Sequence, residues 1–330
     1  MLAERTGVAA HWLNGSWRLA LLRHGASLAF LLILVVFAFT APNFLAAVNI
    51  ATVFAQSAIL GILAFGLTIV MIGGGPNVVS GGLDLSLAAN LGLSAAVYAT
   101  LNNAGFGAFG SIGLTLATGL AIGTLNGLVV IGLRLPPLLA TLASMNVIAG
   151  LELVLTENSV LPTYTPLLEL LSFGQWLGQP VLAWVLLDVA LSLILLIHYS
   201  RYGLRLYAVG EYPEAAAAAG LPVASYQFSS YLLSGVCASL AAFCSSAWFS
   251  GSTTGSGEML LSVVAIAFLG TVFSRRLRPS IGGTLLATLL VGFLVNGFQL
   301  LNIASFWVNG VQGVLILLVV ASASLLRGRF

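Results

Sequence analysis

Only four charged residues lie within or at the ends of the long apolar segments of this chain: Asp84, Glu152, Asp188 and Glu258. Carboxylates in such segments can belong to a solute or proton path, or can serve as paired structural groups. Glu152 and Glu258 fall near segment ends, which favours an ordinary interfacial carboxylate. Asp188 lies further inside its segment, where we favour a buried, hydrogen-bonded structural carboxyl over a place in a solute path.

The sequence lacks the residues for ATP hydrolysis and for metal chemistry. All 11 basic residues are arginines, so the lysine of a Walker A loop is absent, as are the H-E-x-x-H and G-x-S-x-G motifs. Cys237 and Cys244 would lie about 10 Å apart along a helix, beyond disulfide reach, and are interpreted as packing residues. We therefore predict that the chain is not an enzyme and has no catalytic residue, cofactor or metal of its own.

The composition points to a membrane protein. Hydrophobic residues make up 59% of the chain and charged residues 6%, and about 20 apolar residues suffice for one membrane-spanning helix. The continuous apolar runs favour helices over the alternating strands of a barrel. The predicted fold is an all-α polytopic membrane protein with about ten transmembrane helices, near 26–41, 50–72, 82–101, 111–132, 138–155, 181–199, 225–248, 259–273, 281–300 and 307–325.

The arginines orient these ten spans. Every arginine precedes the first span or follows an even-numbered one, and the five connections on the other side contain none. The positive-inside rule then places both termini in the cytoplasm. The predicted organisation is a cytoplasmic segment 1–25, a single transmembrane domain 26–326 and a cytoplasmic tail 327–330. A cleaved signal peptide is the alternative for the first span, but a clean cleavage site is missing.

The connection at about 200–224 is the longest on the cytoplasmic side. Pro213 suits the first turn of a helix, and Glu211 and Glu214 are favourable near its N-terminus. The alanines at 215–219 are strong helix formers, and Gly220 is a typical terminator. We predict a short helix whose small side chains let a groove of another protein close over it, with an ordinary loop as the alternative.

A glycine-rich break separates the second and third spans. Gly73 to Gly75, Pro76 and Asn77 are followed by Gly81 and Gly82, and broken helices often line substrate sites. We hypothesise that this break lines a solute path or its inner gate; the alternative is that Asp84 caps the start of a helix. The candidate path residues are Asn77, Asp84, Ser86, Asn90, Asn126 and Asn296.

Four stretches resemble a known family. The segment 201–223 resembles the coupling-helix loop of ABC importer permeases, with the pattern G-x-x-x-x-A-A-x-x-x-G-I/L. The stretches 81–86 (GGLDLS), 135–142 (LPPLLATL) and 257–261 (GEMLL) are similar to motifs of the ribose/xylose/galactose-type sugar permeases. The chain departs from that pattern at 269–278, where a glycine-rich stretch is replaced by LGTVFSRRLR, and at Glu211 and Leu138, where the family has Asn and Phe.

The resemblance implies the permease subunit of an ATP-driven importer in the bacterial inner membrane. Its implied partners are a second permease copy or a related permease, a cytoplasmic ABC ATPase that holds ATP and Mg, and a periplasmic solute-binding protein. The residues implied in ATPase coupling are Gly210, Glu211, Glu214, Ala217, Ala218 and Gly220. A neutral sugar or polyol-like solute is expected because the outer connections and spans offer no basic group. The alternative is an ATP-independent secondary transporter or channel.

Overall fold

The computed structural model describes residues 30–75, 81–274, 277–303, 307, 310, 313 and 314. Its helices are α1 Phe30–Thr40, α2 Ala47–Gly74, α3 Leu87–Asn103, α4 Ala108–Gly127, α5 Pro137–Thr156, α6 Pro166–Phe173, α7 Val181–His198, α8 Arg201–Glu211, α9 Pro213–Ala218, α10 Val223–Phe249, α11 Met259–Phe273 and α12 Ile281–Leu300. A π-helical turn, Leu128–Gly132, extends α4, and a 3-10 turn, Ser256–Glu258, precedes α11. The predicted segment 1–25, Asn77, most of the tenth span and the tail 327–330 lie outside the described residues.

Seven stretches of the described chain are long and apolar enough to cross a membrane. They are Ala47–Gly74, Ala108–Gly132, Pro137–Thr156, Val181–His198, Val223–Phe249, Ser256–Phe273 and Ile281–Leu300. Each coincides with a predicted span, so the prediction of a helical, multi-pass membrane protein is confirmed. α1 is shorter and α3 has 17 residues; the number ten remains a prediction.

The third predicted span begins later than the apolar pattern indicates. Its helix starts at Leu87 rather than near 82. A β-carbon on Gly82 would overlap the carbonyl oxygen of Val70 in α2, so this part of the chain runs as close-packed, non-helical backbone beside α2. Glycine is what permits backbone segments to approach so closely.

α2 lies at the centre of the bundle. Within the 18-residue apolar stretch of α2, 89% of the residues are buried, whereas the corresponding fraction is 28% in α5 and 28% in α7. α2 packs against α7, α10, α11 and α12, and its buried side chains, such as Ile62 and Phe65, form the main apolar core with theirs. α4, α5 and α7 therefore form the periphery, where exposed apolar side chains such as Val154 suit lipid or another membrane helix.

α4 and α10 approach each other through small residues, including Gly119, Gly123 and Gly127, which are spaced four residues apart on α4. A β-carbon at Gly119 would overlap Ser239 and the carbonyl of Gly235, and one at Gly123 would overlap the carbonyl of Tyr231. Close contact of this kind strengthens van der Waals packing between membrane helices. Cys237 and Cys244, also on α10, are buried and unbridged, which confirms their interpretation as packing residues.

The position of Asp188 differs from the prediction. It was expected to be a buried, hydrogen-bonded carboxyl, yet it is exposed on α7 and has no hydrogen-bond partner among the described residues. The packed face of α7 contains Leu186 and Ala190, and a residue two positions away points to nearly the opposite side of a helix. Asp188 therefore faces away from the bundle.

The connection between α7 and α10 contains two helices where one was predicted. The predicted helix appears as α9, with Pro213 in its first turn, and Gly220 takes a left-handed φ of 80° just beyond it. The preceding helix α8 was missed. The Ser200 hydroxyl accepts a hydrogen bond from the Gly203 amide and so caps α8, a signal that the sequence does carry.

Two short strand pairs cover the opposite end of the bundle. β1 (Leu161–Pro162) pairs with β4 (Gly251–Ser252), while β2 (Gln175–Trp176) and β3 (Gln179–Pro180) form a hairpin. α6 lies between them, and the Thr165 hydroxyl caps it by accepting from the Leu168 amide. β1 and β4 join the α5–α6 connection to the α10–α11 connection over the end of α3.

Candidate functional site

Asp84 is the centre of a buried polar cluster between α3, α4 and α10. Its side chain is 1% exposed. Its Oδ1 atom accepts hydrogen bonds from the Ser86 hydroxyl at 2.7 Å, the Ser86 amide at 3.1 Å and the Asn126 side-chain amide at 3.3 Å. Its Oδ2 atom accepts from the Ser234 hydroxyl at 2.8 Å. The structure thus brings together Asp84, Ser86 and Asn126, three of the predicted path residues.

The cluster also ties the non-helical segment before α3 to its neighbours. Asn126 donates a second hydrogen bond to the Ser86 hydroxyl at 2.7 Å, and the Tyr231 hydroxyl donates to the Leu83 carbonyl at 3.5 Å. The Asn126 Oδ1 atom is buried without a described partner, so the cluster retains one free acceptor. Asp84 accepts hydrogen bonds from Ser86 in its own turn, which agrees with the capping alternative. It also accepts hydrogen bonds from Asn126 in α4 and Ser234 in α10.

The other predicted path residues divide into three cases. Asn90 lies one turn beyond Ser86 on α3, where it donates to the Gly119 carbonyl at 3.4 Å and accepts from Ser94 at 3.1 Å. Asn296 is in a different place: it exchanges two hydrogen bonds with Asn49, at 2.8 and 3.0 Å, near the beginning of α2. Asn77 lies outside the described residues.

Asn49 and the Asp84 cluster are at opposite ends of α2. Gly82 contacts Val70 near the end of that helix, and the rise from residue 49 to residue 70 is about 30 Å. Asn296 therefore joins α12 to α2 and does not belong to the cluster.

A cavity of about 490 Å³ opens beside the cluster, at the end of the bundle where α2 ends. It is lined by Gly74, Gly81, Gly82, Val130, Ile131, Arg134, Leu135, Pro136, Pro137, Gln227, Ser230 and Tyr231. Tyr231 belongs both to the cavity wall and to the cluster, so the cavity reaches the segment that contains Asp84. Its mixed apolar and polar wall resembles that of small-molecule sites.

Three glycine contacts connect α8 to this segment through backbone alone. A β-carbon at Gly210 in α8 would overlap the Ile72 carbonyl of α2, and one at Gly75 would overlap the Gly210 carbonyl. A β-carbon at Gly74 would in turn overlap the backbone of Gly82, two residues before Asp84. α8 and the Asp84 segment are therefore connected through the end of α2 by backbone contacts, without a flexible side chain between them.

α9 presents an exposed small-residue surface next to these contacts. Ala216 is buried, whereas Ala217, Ala218 and Gly220 are exposed, as is Glu214. The surface contains four of the six residues implied in ATPase coupling, and α9 packs on α8 and α10. The other two, Gly210 and Glu211, lie at the end of α8, where Gly210 is buried. The surface of α9 is accessible to another protein.

Two contacts fix α8 to the segment before α12. Glu211 Oε1 forms an ion pair with Arg278 Nε at 2.7 Å, and the Tyr207 hydroxyl donates to the Pro279 carbonyl at 2.7 Å. Burial raises the pKa of Tyr207 above its ordinary value, so the hydroxyl remains a donor at physiological pH. α8 thus contacts α2 on one side and the α11–α12 connection on the other.

Sequence reasoning missed Ser234 and Tyr231, the contributions of α10 to the cluster. Serine and tyrosine are common in membrane helices, and no local motif distinguishes these two. Glu152 was also misjudged: it is 4% exposed and lies inside the protein rather than at an interface. Within the described ranges, no group of three His, Cys, Asp or Glu residues is arranged to hold a metal ion.

The comparisons with known proteins identify the class. The family described as "Branched-chain amino acid transport system / permease component" matches residues 49–320, and the chain belongs to this family. It is a permease component of a membrane transport system. No solved structure matches the chain.

Its curated relatives are import permeases. The chain is 31% identical over 306 residues to the ribose import permease protein of Escherichia coli K12, covering 91% of this chain and 93% of that protein. It is 33% identical over 299 residues to the ribose import permease protein of Bacillus subtilis, covering 90% and 91%. The autoinducer 2 import system permease protein of Photorhabdus luminescens is 28% identical over 281 residues, covering 84% and 82%.

Proposed function

We propose that this chain is the membrane permease of an ATP-driven importer for a neutral sugar or sugar-like solute. A separate cytoplasmic ATPase, which holds ATP and Mg, docks on α9, and a periplasmic solute-binding protein delivers the solute to the opposite end. A second copy or a related permease completes the path in the bacterial inner membrane. The relatives named for ribose and autoinducer 2 import support this assignment.

The observation that supports coupling most directly is the backbone connection from α9 to Asp84. The partner contacts the exposed alanines of α9, and α8 transmits the displacement through Gly210 to the end of α2. Gly74 and Gly82 pass it to the segment that leads to Asp84. Backbone contacts without intervening side chains transmit displacement with little loss because packed interiors are scarcely compressible.

The Asp84 cluster is proposed as an inner gate. With Asp84 hydrogen-bonded to α3, α4 and α10, the three helices are held together above the cavity. Separation of α4 from α10 would free the Asp84 and Ser234 oxygens, and the unpartnered Asn126 oxygen is already available to a solute hydroxyl. Asp84, Ser86, Asn90 and Asn126 are therefore proposed to face the solute only when the gate is open.

The proposed orientation places α8 and α9 in the cytoplasm. Arg134, Arg201, Arg205 and Arg278 are the described arginines, and all occur in connections at the end of the bundle that contains α9. The positive-inside rule favours that end as cytoplasmic. Ten spans with both termini inside agree with this orientation.

Purification of the full-length chain from native membranes in mild detergent tests the proposal. An ATPase subunit with a Walker A motif should co-purify with the wild-type chain. Ala217→Trp and Ala218→Trp should remove it because the added ring cannot fit a groove shaped for alanine. Ala108→Trp is the matched control, since Ala108 is an exposed alanine at the opposite end of the bundle.

The alternative, a secondary transporter without ATP, gives a different result. The chain would then purify without an ATPase, and the α9 variants would transport solute as the wild type does. Family membership favours the importer, and α8 and α9 would have no evident purpose in the alternative.

A further inference from the structure

Asp188 places a carboxyl group on the outer face of a peripheral membrane helix. It is the eighth of the 18 residues of α7, about 10 Å of helical rise from the beginning of the helix and about 15 Å from its end. Its side chain is exposed, and no hydrogen bond or ion pair involves it within the described part of the chain. A carboxylate at this depth is costly against lipid, and the aspartate side chain is too short to reach the headgroups as lysine or arginine can.

The residues that follow Asp188 continue one exposed stripe along α7. Leu191, Ser192 and Leu195 lie three, four and seven residues further on, and all three are exposed, Leu191 by 57% and Leu195 by 54%. Residues at these spacings share one face of a helix. Together with Asp188 they form a surface, here called the Asp188 stripe, in which two leucines alternate with two polar side chains. Polar side chains among apolar ones are typical of contacts between membrane helices.

The chain has no basic side chain that can meet Asp188 inside the membrane. None of the ten predicted spans contains Lys or Arg, and the described arginines lie in connections at the end of the bundle that contains α9. His198 is on the same helix as Asp188 but about 15 Å further along, where its Nε2 atom accepts a hydrogen bond from the Ile281 amide.

Charge therefore argues against a second copy of this chain on the Asp188 stripe. A second copy has no Lys or Arg in its predicted spans either, and α7 packed against α7 would bring two carboxyl groups together. Like charges at close range are unfavourable, most of all where water is excluded. Charge complementarity instead requires a cation on the covering helix.

We propose that the Asp188 stripe binds a transmembrane helix of a different protein chain, one that carries Lys or Arg near the middle of the membrane. The basic side chain would form a charge-assisted hydrogen bond with Asp188, with the Ser192 hydroxyl as a second acceptor, while Leu191 and Leu195 pack against the same helix. This partner is distinct from the ATPase, which is proposed to dock on α9 outside the membrane. Because α7 also packs against α8, the partner would lie beside the helix that connects α9 to the Asp84 cluster.

A synthetic membrane peptide tests the charge requirement. Leu191 of the full-length chain is replaced by the photoreactive residue p-benzoylphenylalanine, and the purified chain is placed in lipid vesicles. A peptide of about 20 leucines and alanines, long enough to span the membrane, carries Arg at its centre, and a control peptide carries Leu there. After irradiation, the Arg peptide should be cross-linked at least about tenfold more than the Leu peptide, the effect of one charge-assisted hydrogen bond.

Charge exchange and a second probe position control this experiment. Asp188→Asn should remove most of the preference for the Arg peptide. Asp188→Lys should reverse it, so that a peptide with a central Asp is cross-linked instead, a result that misfolding could not produce. Val147, near the middle of α5 and 60% exposed, is the matched probe position. From there the Arg and Leu peptides should be cross-linked equally.

The same photoreactive residue at Leu191 identifies the natural partner in native membranes. The cross-linked product should contain a different membrane protein, joined through a span that has Lys or Arg within one helical turn of the contact. Asp188→Lys should abolish this product, and an additional change of that basic residue to Asp should restore it.

Three results would overturn the inference. The Arg and Leu peptides could be cross-linked equally, Asp188→Asn could leave the preference unchanged, or the product in native membranes could contain only lipid or a second copy of this chain. A second copy would make the Asp188 stripe a contact between identical permeases, and lipid alone would make it a lipid-facing surface. The importer assignment is tested separately, by co-purification of the ATPase with the chain unmodified at Leu191 and Asp188.

Discussion

Asp84 is placed to serve both the fold and the proposed gate. Its two carboxylate oxygens accept four hydrogen bonds from three helices and their connections. Such a network stabilises one arrangement when fully satisfied, and it becomes costly when one member is removed. In the proposed gate, movement of α4 away from Asp84 breaks the Asn126 bond and movement of α10 breaks the Ser234 bond, so these bonds stabilise the closed arrangement.

Asp84→Ala should abolish transport while the chain still inserts in the membrane and binds the ATPase. The substitution leaves the Ser86 and Ser234 hydroxyls without their acceptor, at a cost of about 1–3 kcal/mol for each buried group. Thermal unfolding in detergent and solute uptake measure the two effects.

Asp84→Asn is the informative companion because it keeps the volume and most of the hydrogen-bonding capacity. It should retain more thermal stability than the alanine variant. Wild-type uptake by Asp84→Ala, or complete failure of that variant to assemble, would argue against a gate.

At the scale of elements, α8 connects a surface helix to the inner polar cluster. It contacts α2 through Gly210 and the α11–α12 connection through Glu211 and Tyr207. α9, with its exposed alanines, is short and depends on α8 for its position. These two helices are the elements through which an ATPase would act on the path.

Gly210→Ala should uncouple ATP hydrolysis from transport. The added methyl group overlaps the Ile72 carbonyl, so α8 has to move away from α2 and its displacement no longer reaches Gly82. ATPase co-purification should persist while uptake per ATP hydrolysed falls at least several-fold. Gly150→Ala, a helical glycine with open space around it, should behave as the wild type. Equal coupling in the two variants would contradict this role for Gly210.

The ion pair between Glu211 and Arg278 is testable by charge exchange. Both side chains are partly exposed, so the pair contributes at most about 1 kcal/mol to stability. Arg278→Glu should reduce uptake because it places two like charges together, and the double variant Glu211→Arg, Arg278→Glu should restore part of it. Transport rates of the wild type and the two variants measure the effect, and no rescue by the double variant would mean that the pair does not position α8.

The sequence predicted the bounds of the seven membrane-length helices well and the tertiary contacts poorly. Hydropathy and arginine placement locate the apolar helices because lipid imposes a simple local requirement. The α9 helix also follows from local signals, namely Pro213, the alanines and Gly220. Asp84 and Ser234 are 150 residues apart in sequence, and no local pattern indicates the hydrogen bond between them. Glu152 was misjudged for the same reason, since only the fold reveals that α3 and the 3-10 turn cover it.

At the scale of the whole molecule, the central position of α2 and the peripheral position of α4, α5 and α7 leave a broad apolar surface. Lipid covers such a surface, and a second permease covers part of it in the proposed assembly. The Asp84 cluster lies inside the bundle, and the described arginines are confined to one end. The molecule is thus polarised along the membrane normal, with α8, α9 and the described arginines at one end and the two short strand pairs at the other.

This polarity predicts a topology. In a background with Cys237 and Cys244 replaced by Ala, a single cysteine at Ala108 should react with a membrane-impermeant maleimide added outside intact spheroplasts. A single cysteine at Ala218 should react only after the membrane is permeabilised. Both positions are exposed alanines, so accessibility within the protein is matched. The reverse pattern would invert the orientation of the whole bundle.

Energy dependence of uptake tests the central claim most directly. The chain and the ATPase that co-purifies with it are reconstituted in vesicles, with the binding protein and tritiated D-ribose outside and ATP with Mg inside. Accumulation should require internal ATP and should disappear in Ala217→Trp but not in Ala108→Trp. Uptake at the same rate without ATP, and unchanged by Ala217→Trp, would contradict the account and favour a secondary transporter.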